Sequence, residues 1–401
     1  MGPVVRLGVI VTYRVARHDD GSITASDKFL AEMAAYAERW PGPVDVYVAT
    51  TASNSEVLGA SPLPEPEGNL SYFAVAPEDF GFAAIDPLPD VLLTAIDAPL
   101  HTVPKLCRNL PVATVIAIEY TFKTRFQQAL VERPDVVGRL GGLKWNLGQE
   151  ARIIGAARNA DGLQANGHPA FRHYGRFNKN SMLYLDSRAA ESQMPSPDHV
   201  AARVATLGAG DRPVRVAFTG RLEARKGPLQ TVAVARELRE RGVDFSFLVA
   251  GDGPQRDELK RAIADAGLVN RFDLAGVLDF DRELMPRIRE EVDVFFCPHP
   301  QGDPSCTYVE TLAGGVPIVG YANEAVVGLA GETVAVTSVP MGNAAAAAAG
   351  IAALAADTAE LKQRSLAALS FARAHSFERA YDQRVQHFLG VATTAQAPCP
   401  R

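Results

Sequence analysis

The chain is poor in the residues that staple, ligate or anchor. Its four cysteines, Cys107, Cys297, Cys306 and Cys399, are scattered through 401 residues without metal-ligand spacing. That excludes a disulfide scaffold and offers no zinc-type ligand set, so free thiols in a reducing cytoplasm are expected. Positive charge is not in excess: 40 Lys and Arg stand against 46 Asp and Glu, a formal net charge of −6. The basic footprint that binds nucleic acid is missing, and no nucleic-acid partner is expected. No apolar run reaches the length that spans a bilayer. No strongly basic amphipathic helix stands out either, Lys28 to Trp40 being mixed in charge. The opening MGPVVRLGVIVTY is short and lacks a small-residue cleavage site, so it reads as a first buried strand and not as a leader.

What is present is a β/α alternation that runs twice. A chain of this length exceeds what one core usually fills. Apolar strands are read at Val4–Tyr13, Val44–Thr50, Tyr72–Val75, Val91–Asp97, Val112–Tyr120 and Ser181–Asp186. Helices with apolar spacing are read at Lys28–Trp40, capped by Ser26 or Asp27, and at Leu143–Asn159. Arg14 to Ser26 reads as a polar loop whose Gly21 permits close approach to a ligand or simply makes a turn. Asp186 to Pro213, broken by Pro195, Pro197 and Pro213, reads as a linker. The pattern then restarts with strands at Val214–Thr219, Phe245–Ala250, Phe272–Val277, Val292–Pro298, Val316–Tyr321 and Thr333–Val339. The expected architecture is α/β, two Rossmann-like doubly wound parallel-sheet domains facing across a cleft: 1–200, then 201–375, a closing helix at 376–390 and a disordered tail at 391–401.

The stretch from Val292 to Tyr321 carries the chemistry. It reads strand, polar turn, helix N-terminus, strand, and a helix N-terminus is a natural seat for phosphate. The donors would be the backbone N–H groups of Ser305, Cys306 and Thr307, with Glu310 one turn further in as an acceptor for ribose hydroxyls. Taken alone the stretch is equally an ordinary βαβ corner. Arg221 and Lys226 lie on the loop GRLEARKG; alone they are a solvated pair, but joined to the helix terminus they make a diphosphate site. Glu119 ends a buried strand where open α/β sheets bind ligands, and is either functional or paired with Lys123 or Arg125. His18 and His101 lie in loops, as ligands or as solvated side chains.

GRLEARKG (220–227), AGDGP (250–254) and PSCTYVETLAGGVPIVG (304–320), in this order and spacing, resemble the retaining glycosyltransferases of the GT-B fold, glycosyltransferase family 4. The resemblance covers about 200 to 390; before that NADGLQANG and SMLYLDSR sit where the family has its last N-domain strands. It implies transfer of a sugar from a UDP- or GDP-type donor to a saccharide, lipid-linked or small-molecule acceptor such as an aminocyclitol. It also implies retention at the anomeric carbon and no cofactor or essential metal. Arg221 and Lys226 would bind the diphosphate, Val277 the nucleobase, Glu310 the ribose, and the backbone of Ser305 to Thr307 the distal phosphate, met by Gly21. Glu119 would lie beside the anomeric carbon. One departure stands out. The family pairs the glutamate at 310 with an earlier one, at a position held here by Gly302, with Asp303 beside it; Asp303 would take over its contact with the donor sugar, or the sugar is held differently. A cytoplasmic enzyme that visits a membrane for its acceptor is consistent with this. The alternatives are a sugar-nucleotide epimerase or phosphorylase on the same fold, or a non-catalytic nucleotide-sugar-binding protein.

Overall fold

A computed structural model describes residues 5–52, 60–97, 99–132, 136–208, 210 and 212–395. The chain divides into two units. The first comprises the residues up to Phe122, Leu140–Tyr184 and those from Ala380 on; the second comprises Lys123–Arg139 and Leu185–Arg379.

Among the described residues the first unit holds β1 (Leu7–Arg17), β2 (Ile23–Ser26), β3 (Val44–Ala52), β4 (Ala60–Pro62), β5 (Leu70–Val75), β6 (Val91–Thr94), β7 (Ala113–Ile118), β8 (Gly162–Asn166) and β9 (Ser181–Tyr184). Its parallel sheet runs β5-β3-β1-β6-β7-β8-β9. The central strands β6 and β8 are buried along their whole length; β6 accordingly reads as an apolar run and not as an alternating one, while β8 buries the polar Gln164 and Asn166. The segment read as a polar loop from Arg14 to Ser26 is instead a β-hairpin. β1 runs on to Arg17 and pairs antiparallel with β2, Ala16 opposite Thr24, and the His18 N–H closes the turn on the Ser22 carbonyl at 2.9 Å. Ser26 then caps the helix Asp27–Arg39, its Oγ accepting from the Phe29 N–H.

The helix Phe377–Ala395 extends past the reading at 376–390, so the tail placed from 391 on is helical as far as Ala395, the rest lying outside the described residues. From Ala380 this helix belongs to the first unit. Arg384 anchors it there. Its buried guanidinium donates to Gln164 Oε1 at 2.8 Å, Gln164 Nε2 donates back to the Arg384 carbonyl, and the rings of Tyr184, Tyr36 and Tyr381 surround the cation at 4.2, 5.1 and 5.3 Å.

The second unit contains β10 (Val214–Thr219), β11 (Phe245–Ala250), β12 (Phe272–Gly276), β13 (Val294–Cys297), β14 (Ile318–Tyr321) and β15 (Val336–Val339). All pair in parallel, in the order β12-β11-β10-β13-β14-β15. Phe218, Phe245, Phe247 and Phe296 fill its core. A wide π turn, Phe280–Leu284, leads into the helix Met285–Glu291. Pro286 has no N–H to continue the regular ladder, which accounts for the wider turn. Among the described residues no single helix is long and apolar enough to cross a membrane.

The unit boundary anticipated at 200/201 falls at 184/185, and the supposed linker contains the helix Pro197–Gly208. Its proline starts the helix, where no N–H is needed. This helix carries Arg203, which is buried and donates to the carbonyls of Arg289, Gly314 and Gly315 at 2.6, 2.9 and 2.6 Å. Gly314 and Gly315 directly follow the helix Thr307–Ala313, so a cation sits where that helix presents its unpaired carbonyls. Burial pushes Arg203 down to about 10, leaving it charged at neutral pH. Arg203→Ala removes three charge-assisted hydrogen bonds and is expected to cost about 3 kcal/mol, read as a lowered midpoint in guanidinium unfolding; an unchanged midpoint refutes this role.

Candidate functional site

In the second unit the strand order reverses between β10 and β13, and loops following two such strands splay apart to leave a ligand crevice. The loop after β10 holds Arg221 and Lys226; the loop after β13 holds His299 to Cys306. Two glycines bring backbone against backbone here. Gly227 has φ +66°, and a Cβ on it would lie 2.8 Å from the Pro298 carbonyl oxygen, so the lysine loop is pressed onto the end of β13. Gly251, φ +134°, lets the loop after β11 pass the Gly220 carbonyl at a distance that no side chain permits.

Lys226 is thereby delivered to Asp303. Nζ lies 2.6 Å from Asp303 Oδ2 and 3.4 Å from Ser305 Oγ. Behind Asp303, fully buried His299 brings Nδ1 to 3.5 Å from Oδ1 and 3.3 Å from the Tyr308 hydroxyl. Burial works against an ionised Asp303, but His299 and Lys226 outweigh it and hold the carboxyl well below its ordinary range. Gly302, where the resembled family has a glutamate, leaves little space for a side chain: a Cβ would lie 3.0 Å from Glu324 Cβ and 3.2 Å from the Glu324 backbone nitrogen, so the start of the helix Glu324–Ala330 would have to give way. The carboxylate of this loop stands one residue later and faces the lysine.

Glu310 is buried on the helix Thr307–Ala313 and is held by a residue that the sequence did not single out. Arg188 donates through Nε to Oε1 at 2.8 Å and through Nη2 to Oε2 at 3.5 Å, and stacks on Phe280 at 3.8 Å. The signal available was indirect: a carboxylate read as lying inside the helix needs a cation, and DSR (186–188) offers one. Cys306 donates its thiol to Asp186 Oδ2 at 3.0 Å. The Ser305 N–H, counted among the phosphate donors, is turned back to the Asp303 carbonyl at 3.0 Å.

The structure therefore brings Lys226, Asp303 and Ser305 together. Thr307 is half-buried at the start of the helix that follows. Arg221 is exposed at the head of the same loop as Lys226, its side chain outside any hydrogen bond or ion pair among the described residues. Val277 follows β12 and is 50% exposed. Gly21 and Glu119 belong to the first unit. Gly21 forms the tip of the β1–β2 turn with φ +84°. Glu119 is exposed after β7 and accepts from Asn166 Nδ2 at 3.2 Å; Lys123, one partner considered for it, pairs with Glu324 at 3.2 Å. His18 is tied to Thr24 Oγ1 at 2.9 Å within the hairpin. His101 lies in a single turn, Leu100–Thr102, its pKa lowered by burial and by Arg152.

Two parallel-sheet units of this kind are the GT-B architecture. The Anabaena protein Alr3699/HepE, solved in complex with UDP, superposes with a TM-score of 0.63 at 15% identity, covering 96% of this chain and 99% of that one. At that identity the likeness is one of fold. Residues 204–368 match the family model described as Glycosyl transferases group 1. Among curated relatives, the 2-deoxystreptamine glucosyltransferase of Streptomyces kanamyceticus is 37% identical over 106 residues, 26% of this chain and 27% of that protein. The 2-deoxystreptamine N-acetyl-D-glucosaminyltransferase of Streptomyces fradiae is 32% identical over 137 residues, 34% and 32% of the two chains. The chain thus matches only about a third or less of the length of these relatives.

Truncating Arg188 strands the Glu310 carboxylate, whose side chain is 5% exposed. Arg188→Ala is expected to cost about 2 kcal/mol, and Arg188→Lys to recover less than half, since a lysine cannot hold both oxygens of the carboxylate. Denaturant unfolding of the three proteins checks this; a lysine variant as stable as the parent refutes the two-point grip.

Proposed function

We propose that the chain is a retaining glycosyltransferase of family 4 that moves a sugar from a UDP- or GDP-type donor to an aminocyclitol acceptor in the cytoplasm. The observation that carries the reading is the convergence of Lys226 and Ser305 at the reversal of strand order, with Glu310 on the helix that follows. Lys226 binds the donor diphosphate, and Arg221, exposed on the same loop, swings in as a second cation. Glu310, oriented by Arg188, accepts from the ribose hydroxyls. Val277, exposed at the end of β12, packs on the base.

In this reading the bond from the anomeric carbon to the diphosphate oxygen breaks while a new bond to the acceptor oxygen forms on the same face. Negative charge grows on the departing diphosphate, and preorganised cations at that place lower the barrier without a metal. Positive charge grows on the sugar, and Glu119, a carboxylate of the first unit, stabilises it or receives the acceptor's hydroxyl or amine. The acceptor class rests on the two relatives named for 2-deoxystreptamine. Because they are named for different sugars, glucose and N-acetylglucosamine, the donor sugar is left to experiment.

The test is thermal unfolding with UDP, GDP, ADP and dTDP, followed by product analysis with the matching hexose donors and 2-deoxystreptamine. One diphosphate is expected to stabilise the fold, by about 2.7 kcal/mol at a hundredfold excess over Kd. Lys226→Ala is expected to abolish the shift and Arg221→Ala to weaken binding about tenfold, roughly the loss of one charge-assisted hydrogen bond. An unaltered shift in Lys226→Ala overturns the site.

A further inference from the structure

Three polar side chains stand in line at the switch point, from the crevice inward. The Lys226 side chain is 17% exposed and meets one oxygen of Asp303 at 2.6 Å. The other oxygen faces His299 Nδ1 at 3.5 Å, and the His299 side chain is wholly buried. The His299 backbone is pinned, its carbonyl accepting from Asn323 Nδ2 at 3.0 Å. Its Nε2 is buried and has no hydrogen-bond partner among the described residues. A diphosphate that takes Lys226 draws it from Asp303, and an ionised carboxylate left in this position, its side chain 10% exposed, is largely shielded from solvent. Losing the partner of a buried charge costs far more than losing an exposed one.

We propose that His299 is a positioning residue for the diphosphate-binding lysine: it takes up a proton as a nucleoside diphosphate draws Lys226 away, so that Asp303 exchanges one cation for another. This rests on the donor-site reading above and deepens it. The groups that face His299 divide in sign. They are Cys297 on β13, Tyr308 on the helix Thr307–Ala313, Asp303 on its own loop and Lys226 on the loop after β10; Asn323, ahead of the helix Glu324–Ala330, is neutral. Burial disfavours the imidazolium and so does Lys226, while the Cys297 sulfur and the Asp303 carboxylate favour it and leave its pKa above the ordinary value. A diphosphate that neutralises Lys226 removes an opposing charge and moves the imidazole further up. Between the free and bound values binding takes up a proton and the dissociation constant rises with pH, by up to about tenfold per unit for one proton.

Titration calorimetry with UDP, and with GDP if UDP does not bind, tests this on the full chain. At pH 8 the terminal phosphate of the nucleotide is already ionised. Measured in HEPES and in Tris, whose ionisation enthalpies differ, and repeated at pH values above and below this one, binding to the parent protein is expected to take up a proton over part of the range and none well outside it. His299→Gln is expected to bind without proton uptake and with a pH-independent dissociation constant. Asp303→Asn, which removes the carboxylate in need of a cation, is expected to lose the uptake as well and keeps the test alive if the glutamine variant does not fold. Binding to the parent without proton exchange at any of these pH values overturns the proposal alone, as does uptake that survives His299→Gln. Failure of both nucleotides to bind at any pH instead removes the donor-site reading, and this proposal with it.

Discussion

One ion pair joins the two loops on which the site depends. Lys226 and Asp303 come from sequence positions 77 residues apart and meet at 2.6 Å, where the sheet of the second unit reverses its strand order. The pair is possible because Gly227 lets the lysine loop lie on the end of β13 and because Gly302, lacking a side chain, lets the following loop pass the start of the helix Glu324–Ala330. A protein interior tolerates such a pair only when each charge has further support. Asp303 has His299 behind it, and Lys226 has Ser305 at its side. A second pair, Arg188 with Glu310, repeats the device on the helix Thr307–Ala313. In the proposed function both pairs are resting states of binding groups: each partner that faces the ligand is held in place by another that does not.

Much of this was legible from residue type alone where burial was complete. Val214–Thr219 and Phe245–Ala250 were read with the bounds they have, because a strand covered on both faces is apolar at most positions, Arg215 and Ser246 falling where each strand is only half-buried. The hairpin after β1 was not, since Ile23–Ser26 is largely half-buried and short, with no alternation to announce it. The helix Pro197–Gly208 was hidden by its own first residue: a proline that starts a helix and a proline that breaks one are the same letter. Within the site, Lys226, Ser305 and Glu310 stood out by their places in the two loops and the helix, and Asp303 only through the family resemblance. Arg188 did not, because the need it answers arises 122 residues away. Nor did His299, which follows a buried strand as the single residue between Pro298 and Pro300 and gains its meaning from Asp303 and Tyr308 only once the chain is folded.

The helix Thr307–Ala313 shows how little of a short element's stability is its own. Seven residues make too few internal hydrogen bonds to stand alone. Its far end is closed by Arg203 and its buried face by core residues such as Leu312, while Arg188 grips Glu310 on its first turns. The helix is thus fixed from three directions by side chains that take no part in the proposed chemistry, and the loop ahead of it inherits that rigidity. Preorganisation of this kind is what allows a backbone to present polar groups without reorganising when charge develops.

The closing helix has a consequence for how the chain comes to be folded. The second unit is nearly continuous in sequence, but the first is completed by residues from Ala380 on, where Arg384 enters its ring of tyrosines. During synthesis the residues made first must therefore wait for those made last. The second unit can assemble as soon as its strands have emerged, while the first has its strands but lacks its covering helix, with the seat of Tyr381 and Phe388 empty and Tyr36 uncovered. The unit that is translated first is the one that is finished last, and its exposed apolar seat is a hazard that lasts until the ribosome has passed Phe388.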